Sequence, residues 1–393
     1  KVESYEAVND SVFKIELKES FNAFLGILSM KYCSVVPKEI VEYYGNDFRK
    51  NPIGTGPFKF KRWEENIKLV LRKNVHYFEK DETGNSLPYL EAVAITFIPE
   101  KQSEFLQLVK GKIDFISGLD NSYKDEIITN DGRLNEFYKD RIEMLRGPYL
   151  NTEYLAFFLK SEKNEIKSEL IRKAINIGFD KRKMLKFLRN GVGIPAEAGF
   201  IPSGLPGYKK NNINKYNPEL AKKYVNTYKE KYKTTPSLTL TTSSNYLDLC
   251  EFIQKELEKL GIEINIDVIP GSALKQAKAN GKLDFFRASW IADYPDAENY
   301  LSLFYSRNLA PDGPNYTHFI NYEYDEIYEN SLSETDPEKS KLLYQKMDSI
   351  ITSKSIIVPL FYDEVVRFVS KNIEGMDINA TNLLDLRNVR KVD

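Results

Sequence analysis

Histidine and cysteine are scarce in this chain: 393 residues hold two of each. Cys33 and Cys250 are too few for a disulfide framework. Cys250 falls on the apolar side of a helical repeat, which reads as a buried thiol. His76 and His318 lie in unrelated loops, with no second His or Cys at ligand spacing, so no metal is expected. A basic excess is lacking as well. Lys+Arg 56 against Asp+Glu 57 leaves a net charge of -1, which argues against a nucleic-acid partner. No apolar run reaches the length that spans a membrane. There is no G-x-S-x-G elbow, no P-loop and no H-E-x-x-H. A close carboxylate pair such as Asp293 and Asp296 suits glycoside hydrolysis, but with 57 acidic residues such a pair carries almost no information. No enzyme is expected, and no cofactor.

What is present is clearest between Ser237 and Asp296. Three short β-rich runs, Leu238 to Thr242, Ile262 to Ile269 and Leu283 to Ser289, are separated by two helical segments. In the first helix Leu247, Cys250, Ile253, Leu257 and Leu260 recur at steps of three and four, one amphipathic face. Gly261 follows where a left-handed residue closes a helix. The second helix runs from Ser272 to Ala279 and ends at Asn280-Gly281. Strand–helix–strand–helix–strand with short links predicts a parallel, right-handed crossover unit. Ligands of such sheets sit outside the carboxyl ends of the strands. Arg287, Ser289, Trp290 and Asp293 emerge there: a cation, an aromatic plate and an anion. The plainer reading makes Asp293 a cap for the turn through Pro295 and Trp290 part of a core.

The length allows two or three domains. Aromatics reach 13%, and Tyr alone counts 25; Tyr suits both cores and wet clefts. The chain opens on Lys1 without Met or a signal peptide, like a strand entered midway, so processing or truncation is expected to have removed an N-terminal portion. Val12 to Leu17 alternates as a strand, Phe21 to Met30 reads as helix, and Pro37 opens another helix. Asn51-Pro-Ile-Gly-Thr-Gly-Pro-Phe58 is a rigid turn. A phosphate cradle there lacks the following G-K-[ST] and helix. A hairpin is expected around Trp63. Ala92–Ile98, Glu100–Lys110 and Ile113–Ile116 read as a second crossover unit, and Asp114 in its last strand loosely echoes Asp284. Ile166 to Leu188 is helical, with a break that Asp180 caps, and 190–216 is a long loop. Asn217-Pro218 and Asp336-Pro337 each mark a helix start. Ile356–Phe361 is a strand, and Val365–Val369 is one more.

Five motifs in order carry a resemblance: Asn51-Pro-Ile-Gly-Thr-Gly-Pro-Phe58, Arg172-Lys-Ala-Ile-Asn-Ile-Gly-Phe-Asp180, Tyr216-Asn-Pro-Glu-Leu-Ala-Lys-Lys223, Trp290-Ile-Ala-Asp-Tyr-Pro-Asp296 and Val358-Pro-Leu-Phe-Tyr362. The chain resembles the oligopeptide- and dipeptide-binding proteins of bacterial ABC importers, the extracytoplasmic solute-binding family 5. The resemblance covers nearly all of it. It implies an α/β, two-lobed periplasmic-binding-protein-like fold of type II. Each lobe would be a mixed, mainly parallel sheet flanked by helices, with a cleft between lobes. Residues 1–47 would be the tail of the family's small extra domain. Residues 48–150 plus 365–393 would form the first lobe, and 151–364 the C-terminal lobe. Family members carry well over a hundred further residues ahead of the point matching Lys1, so the first lobe is expected to be incomplete and to expose apolar sheet.

The implied function is an extracytoplasmic receptor, periplasmic or a cell-surface lipoprotein. It would bind a peptide-like solute by hinge closure and deliver it, as a monomer, to an ABC permease in the membrane. The same fold also serves other solutes: an oligosaccharide, a metal chelate or a cell-wall peptide. Asp293, in Trp-x-x-Asp, matches the carboxylate that pairs with a peptide's α-amino group. Arg287 matches an arginine that meets the peptide carboxylate in oligopeptide binders. A zwitterion in a poorly hydrated site needs both termini paired, and charge-assisted hydrogen bonds are the strong class. Trp290 and Tyr294 accompany Asp293, and Tyr305 is a further candidate. Tyr316 and His318, in Gly313-Pro-Asn-Tyr-Thr-His-Phe319, either line the site or belong to a surface loop.

Overall fold

The structure is a computed structural model that describes residues 2–392. The strands, in chain order, are β1 (Val2–Asn9), β2 (Val12–Leu17), β3 (Phe58–Glu64), β4 (Lys68–Lys73), β5 (Ala92–Thr96), β6 (Phe115–Ser117), β7 (Ile142–Phe157), β8 (Ile194–Pro195), β9 (Ser237–Thr242), β10 (Glu263–Val268), β11 (Phe285–Ile291) and β12 (Ile357–Ser370). Two compact units emerge, Lys1–Met30 with Leu150–Asp363 and Lys31–Tyr149 with Glu364–Asp393. β7 and β12 each run on from one unit into the other. No helix among the described residues is long and apolar enough to cross a membrane.

The unit containing 150–363 is built on the expected crossover. β9 pairs in parallel with β10 and with β11. The helix Leu247–Glu258 lies between β9 and β10, burying Leu249, Cys250, Ile253 and Leu257. Gly261 follows at φ +82°, a conformation a Cβ disfavours. Helix Gly271–Ala279 then leads into β11. β7 closes on the far side of β11, antiparallel, with Arg287 opposite Leu155 and Ser289 opposite Glu153. One face of this sheet holds the main core, where Leu155, Phe157 and Phe285 meet Ile171, Ile175, Ile253 and Leu257. Phe157 and Phe285 stack with centroids 4.7 Å apart.

The start signals work as polar caps. Asp180 accepts from the N–H groups of Arg182 and Lys183, Asn217 from Leu220, and Asp336 from Glu338 and Lys339. Each satisfies donors that the first helical turn leaves open. β1 and β2 form an exposed antiparallel hairpin. The 21–30 segment that follows packs Phe21 and Ala23 on Tyr294. Its Gly26 lies so close that a Cβ would stand 2.9 Å from the Tyr294 ring.

In the other unit β3, β4 and β5 make an antiparallel sheet. Trp63 pairs with Leu69 across the expected hairpin, and Arg49 lies over its ring at 4.7 Å. Helix Lys101–Val109 buries Phe105 and Leu108, with Phe105 stacked on Tyr123 at 5.2 Å. Arg367 is 1% exposed, and its guanidinium donates to the carbonyls of Asp377 and Leu383 and to Asn382 Oδ1. One buried cation thereby holds the loop after β12 through three acceptors.

Three expectations need correction. Residues 92–116 are not a crossover unit: β5 pairs with β4, whereas β6 pairs antiparallel with β12. Strand–helix–strand periodicity does not say which sheet each strand joins. Among the described strand pairings β9–β10 and β9–β11 are parallel, while β11–β7, β12–β6, β12–β8, β3–β4 and β4–β5 are antiparallel, so the sheets are mixed without being mainly parallel. The two strands expected at 356–361 and 365–369 are one continuous strand, Ile357–Ser370. The polar pair Asp363-Glu364 reads as a break in sequence, but its backbone stays extended.

Candidate functional site

β11 delivers its side chains alternately to the two faces of the sheet. Arg287 and Ser289 share a face with Leu155 and Glu153 of β7. There the Arg287 guanidinium donates to Glu153 in a buried ion pair, side chains 10% and 3% exposed. It also lies 3.3 Å over the ring of Tyr246. Burial pushes the Glu153 carboxyl above its usual range, against the pull of Arg287. Asn151 Nδ2 reaches Glu153 at 3.2 Å and Asp363 at 3.4 Å, and Arg189 pairs with Asp363 at 2.6 Å. Arg287 is thus already neutralised by its own chain.

Phe286, Ala288 and Trp290 point to the other face. The Trp290 indole N–H donates to Asn299 Oδ1 at 2.9 Å, and the backbone N–H of Asp293 donates to the same oxygen at 3.1 Å. One amide therefore fixes both ends of Trp-x-x-Asp. The Asp293 side chain is left exposed. The capping role that the plainer reading gave Asp293 belongs to Asp296, whose Oδ1 accepts from the N–H of Glu298 at 2.8 Å and from the Tyr344 hydroxyl at 3.1 Å.

Tyr294 is buried, and its hydroxyl donates to Glu298 Oε2 at 2.5 Å. Tyr328 donates to the other oxygen of the same carboxylate. Burial beside Glu298 raises both hydroxyls well above their ordinary range. Tyr305 donates to Glu329 and stacks on Tyr328 at 4.5 Å. Tyr294 and Tyr305 are therefore both buried, with their hydroxyls committed to carboxylates of the same chain.

Tyr316 and His318 gather elsewhere in the unit. Lys278 Nζ lies 5.5 Å over the Tyr316 ring and 5.9 Å over Phe286. Burial, then the charge of Arg287, pushes the Lys278 ammonium down to about 8. His318 adopts φ +52° and meets Phe158 edge-on at 4.9 Å. Burial, then Lys160, holds its imidazole below the usual range. Of the six candidates, the structure joins Trp290 and Asp293 through one partner, places Arg287 on the opposite face, buries Tyr294, and sets Tyr316 and His318 apart.

Sequence reasoning missed Glu153, Tyr246, Lys278 and Asn299. Glu153 had a usable signal: it is the one acidic residue in the run Leu150-Asn-Thr-Glu-Tyr-Leu-Ala-Phe-Phe158, and a lone carboxylate inside a buried strand needs a partner. Asn299 had none. No group of three His, Cys, Asp or Glu side chains able to hold a metal ion occurs among the described residues.

Comparison with known proteins places the chain. Residues 1–311 match the profile of bacterial extracellular solute-binding proteins, family 5 (Middle). The glutathione-binding protein GsiB of Salmonella choleraesuis is 23% identical over 379 residues, 94% of this chain and 70% of that protein. The probable D,D-dipeptide-binding periplasmic protein DdpA of Escherichia coli K12 is 26% identical over 386 residues, 95% of this chain and 70% of its own length. Among solved structures, the periplasmic binding protein DppA of Helicobacter pylori, in complex with the peptide STSA, superposes with a TM-score of 0.81 at 23% identity, covering 100% of this chain and 74% of that one. A putative peptide-binding protein AppA from Clostridium difficile gives 0.83 at 20% identity, covering 99% and 78%. The mixed α/β fold is that of the two-lobed periplasmic binding proteins, and the chain belongs to family 5 of the bacterial extracellular solute-binding proteins.

Proposed function

We propose that this chain is an extracytoplasmic receptor that binds a peptide or peptide-like solute and hands it to the membrane permease of an ABC importer. The observation that carries the reading is Asp293: an exposed carboxylate at the carboxyl end of the central strand, on a turn whose geometry Asn299 fixes. A fixed, unshared carboxylate beside an indole suits an α-ammonium group, since the charge pairs directly and the ring covers the neighbouring backbone. The names of the relatives support a peptide: glutathione, a D,D-dipeptide and STSA belong to that chemical class. Its role is binding and not catalysis.

Arg287 enters as the counter-ion of Glu153, so a ligand carboxylate near it meets an ion pair in place of a bare cation. A non-peptide solute is the second reading. It is favoured by the likeness to AgaA of A. tumefaciens, whose structure holds agropinic acid, at a TM-score of 0.80. Calorimetry with matched peptides carrying a free or an acetylated amino terminus separates the two. Loss of binding on acetylation supports the assignment of Asp293, and equal binding of both forms removes it. Recovering the peptide unchanged after long incubation supports a receptor, and cleavage contradicts it.

A further inference from the structure

The backbone at Gly199 and Phe200 is gripped from three elements of the same unit. Phe200 N–H donates to Asp348 Oδ1 at 2.7 Å, from helix Pro337–Ser353. The Gly199 carbonyl accepts from the Tyr362 hydroxyl of β12 at 2.7 Å. The Phe200 carbonyl accepts from Thr152 Oγ1 of β7 at 3.0 Å. Gly199 has no room for a side chain, because a Cβ there would stand 1.6 Å from Asp348 Oδ2. The fit between this backbone and one carboxyl is therefore tight.

The Phe200 ring passes that fit onward. It is fully buried and meets Tyr154, Tyr300 and Phe304 at 5.1, 5.4 and 5.3 Å. Tyr300 directly follows Asn299, the residue that holds Trp290 and Asp293. The same helix reaches the turn a second way, through Tyr344 and Asp296. We propose that Asp348 is a positioning residue for the 290–299 turn, acting through Gly199 and Phe200, and that the turn shifts when this carboxyl gains or loses its proton. The proposal rests on the reading of that turn as the ligand-bearing one only for its consequence in binding.

Asp348 is a buried carboxyl with no ion-pair partner among the described residues. Burial pushes it up to about 7, against the pull of the Phe200 and Ile201 N–H groups. The groups facing it are Tyr362 from β12 and Tyr324 from helix Tyr322–Ser333, both held neutral well above the ordinary Tyr range. Asp348, Lys209 and Lys346 line one cavity of about 330 Å³, but neither lysine is ion-paired with Asp348 among the described residues. The Phe200 N–H at 2.7 Å is therefore the closest relief for a charge appearing on Asp348. Lys181, caged by Asn176, Ala196 and Asn214, is lowered by burial to about 7 and titrates in the same window. The test must tell the two apart.

Trp63→Phe leaves Trp290 as the sole tryptophan, so its emission reports the turn without any ligand. Between pH 5 and 9 the emission maximum of Trp63→Phe should shift with a midpoint near 7. The shift should vanish in Trp63→Phe/Asp348→Asn and in Trp63→Phe/Asp348→Ser, while Tyr344→Phe leaves the midpoint in place. Carboxyl carbon NMR of Asp348 in the Trp63→Phe protein, which needs no further variant, should titrate with the same midpoint. A flat profile, a shift that survives loss of the carboxyl, or a Trp290 midpoint unlike that of Asp348 would overturn the proposal. Because no ligand is used, failure here is distinct from failure of the peptide-receptor reading.

Discussion

Arg287 and Glu153 form a buried ion pair across two adjacent antiparallel strands, with the Tyr246 ring covering the guanidinium. Taking one partner away strands the other. Arg287→Met is expected to destabilise the protein by about 3–5 kcal/mol, and the double variant Arg287→Met/Glu153→Leu to recover most of that loss. Chemical denaturation of the three proteins checks this. An Arg287→Met protein as stable as wild type would mean that the guanidinium is held for a ligand and not for Glu153.

The same pair sets an expectation for ligand chemistry. With Arg287 neutralised at home, amidating the carboxyl terminus of a bound peptide should weaken binding by less than about tenfold, the scale of 1.4 kcal/mol. Titration of wild type with free and amidated peptide reads it. A loss of several hundredfold that disappears in Arg287→Met would assign the carboxylate to Arg287 after all.

Asn299 serves two donors with one oxygen. Asn299→Ala leaves the Trp290 indole N–H and the Asp293 amide without that acceptor, each a cost of about 1–3 kcal/mol if it stays buried. Affinity for a peptide ligand should fall about tenfold or more, and Trp290 emission should move to the red. Unchanged affinity with shifted emission would detach Trp290 from the site.

Asp348 makes stability depend on pH with a definite sign. Its folded value, about 7, lies above the ordinary 3.8. Its contribution to stability is therefore fully present below about pH 4 and lost as pH rises through 7. Relative to Asp348→Asn, wild type should lose on the order of 3–5 kcal/mol between those limits. Melting curves of both proteins at pH 4.5, 6 and 8 give the difference. A difference that does not grow with pH would show that Asp348 ionises in the folded protein as readily as in the unfolded chain, and so is not raised by burial.

Much of the scaffold was legible because it rests on local rules. Periodicity placed the β9–β11 unit, and side-chain capping at Asp180, Asn217 and Asp336 placed three helix starts. Cys250 fell on the buried face of its helix as its spacing implied. What escaped was long-range. Glu153 and Arg287 are 134 residues apart, and the Asp348–Phe200 contact spans 148. Neither leaves a periodic trace. Sheet membership was equally hidden: β5 and β6 flank one helix in sequence but enter different sheets. Trp290 and Asp293 stood out as candidates because a strand end in a crossover unit is a place where ligands gather, whereas their shared partner Asn299 had no pattern to reveal it.

Native mass spectrometry of the protein isolated from its own cells tests the central claim most directly. A receptor for peptides should carry a bound species whose mass and fragmentation match a peptide or a close derivative. The same preparation of Asp293→Ala, folded by circular dichroism, should carry little or none, since losing the partner of a buried ammonium costs on the order of 2–5 kcal/mol. A sugar or another species without an amino group in wild type, or full occupancy by the same peptide in Asp293→Ala, would contradict it.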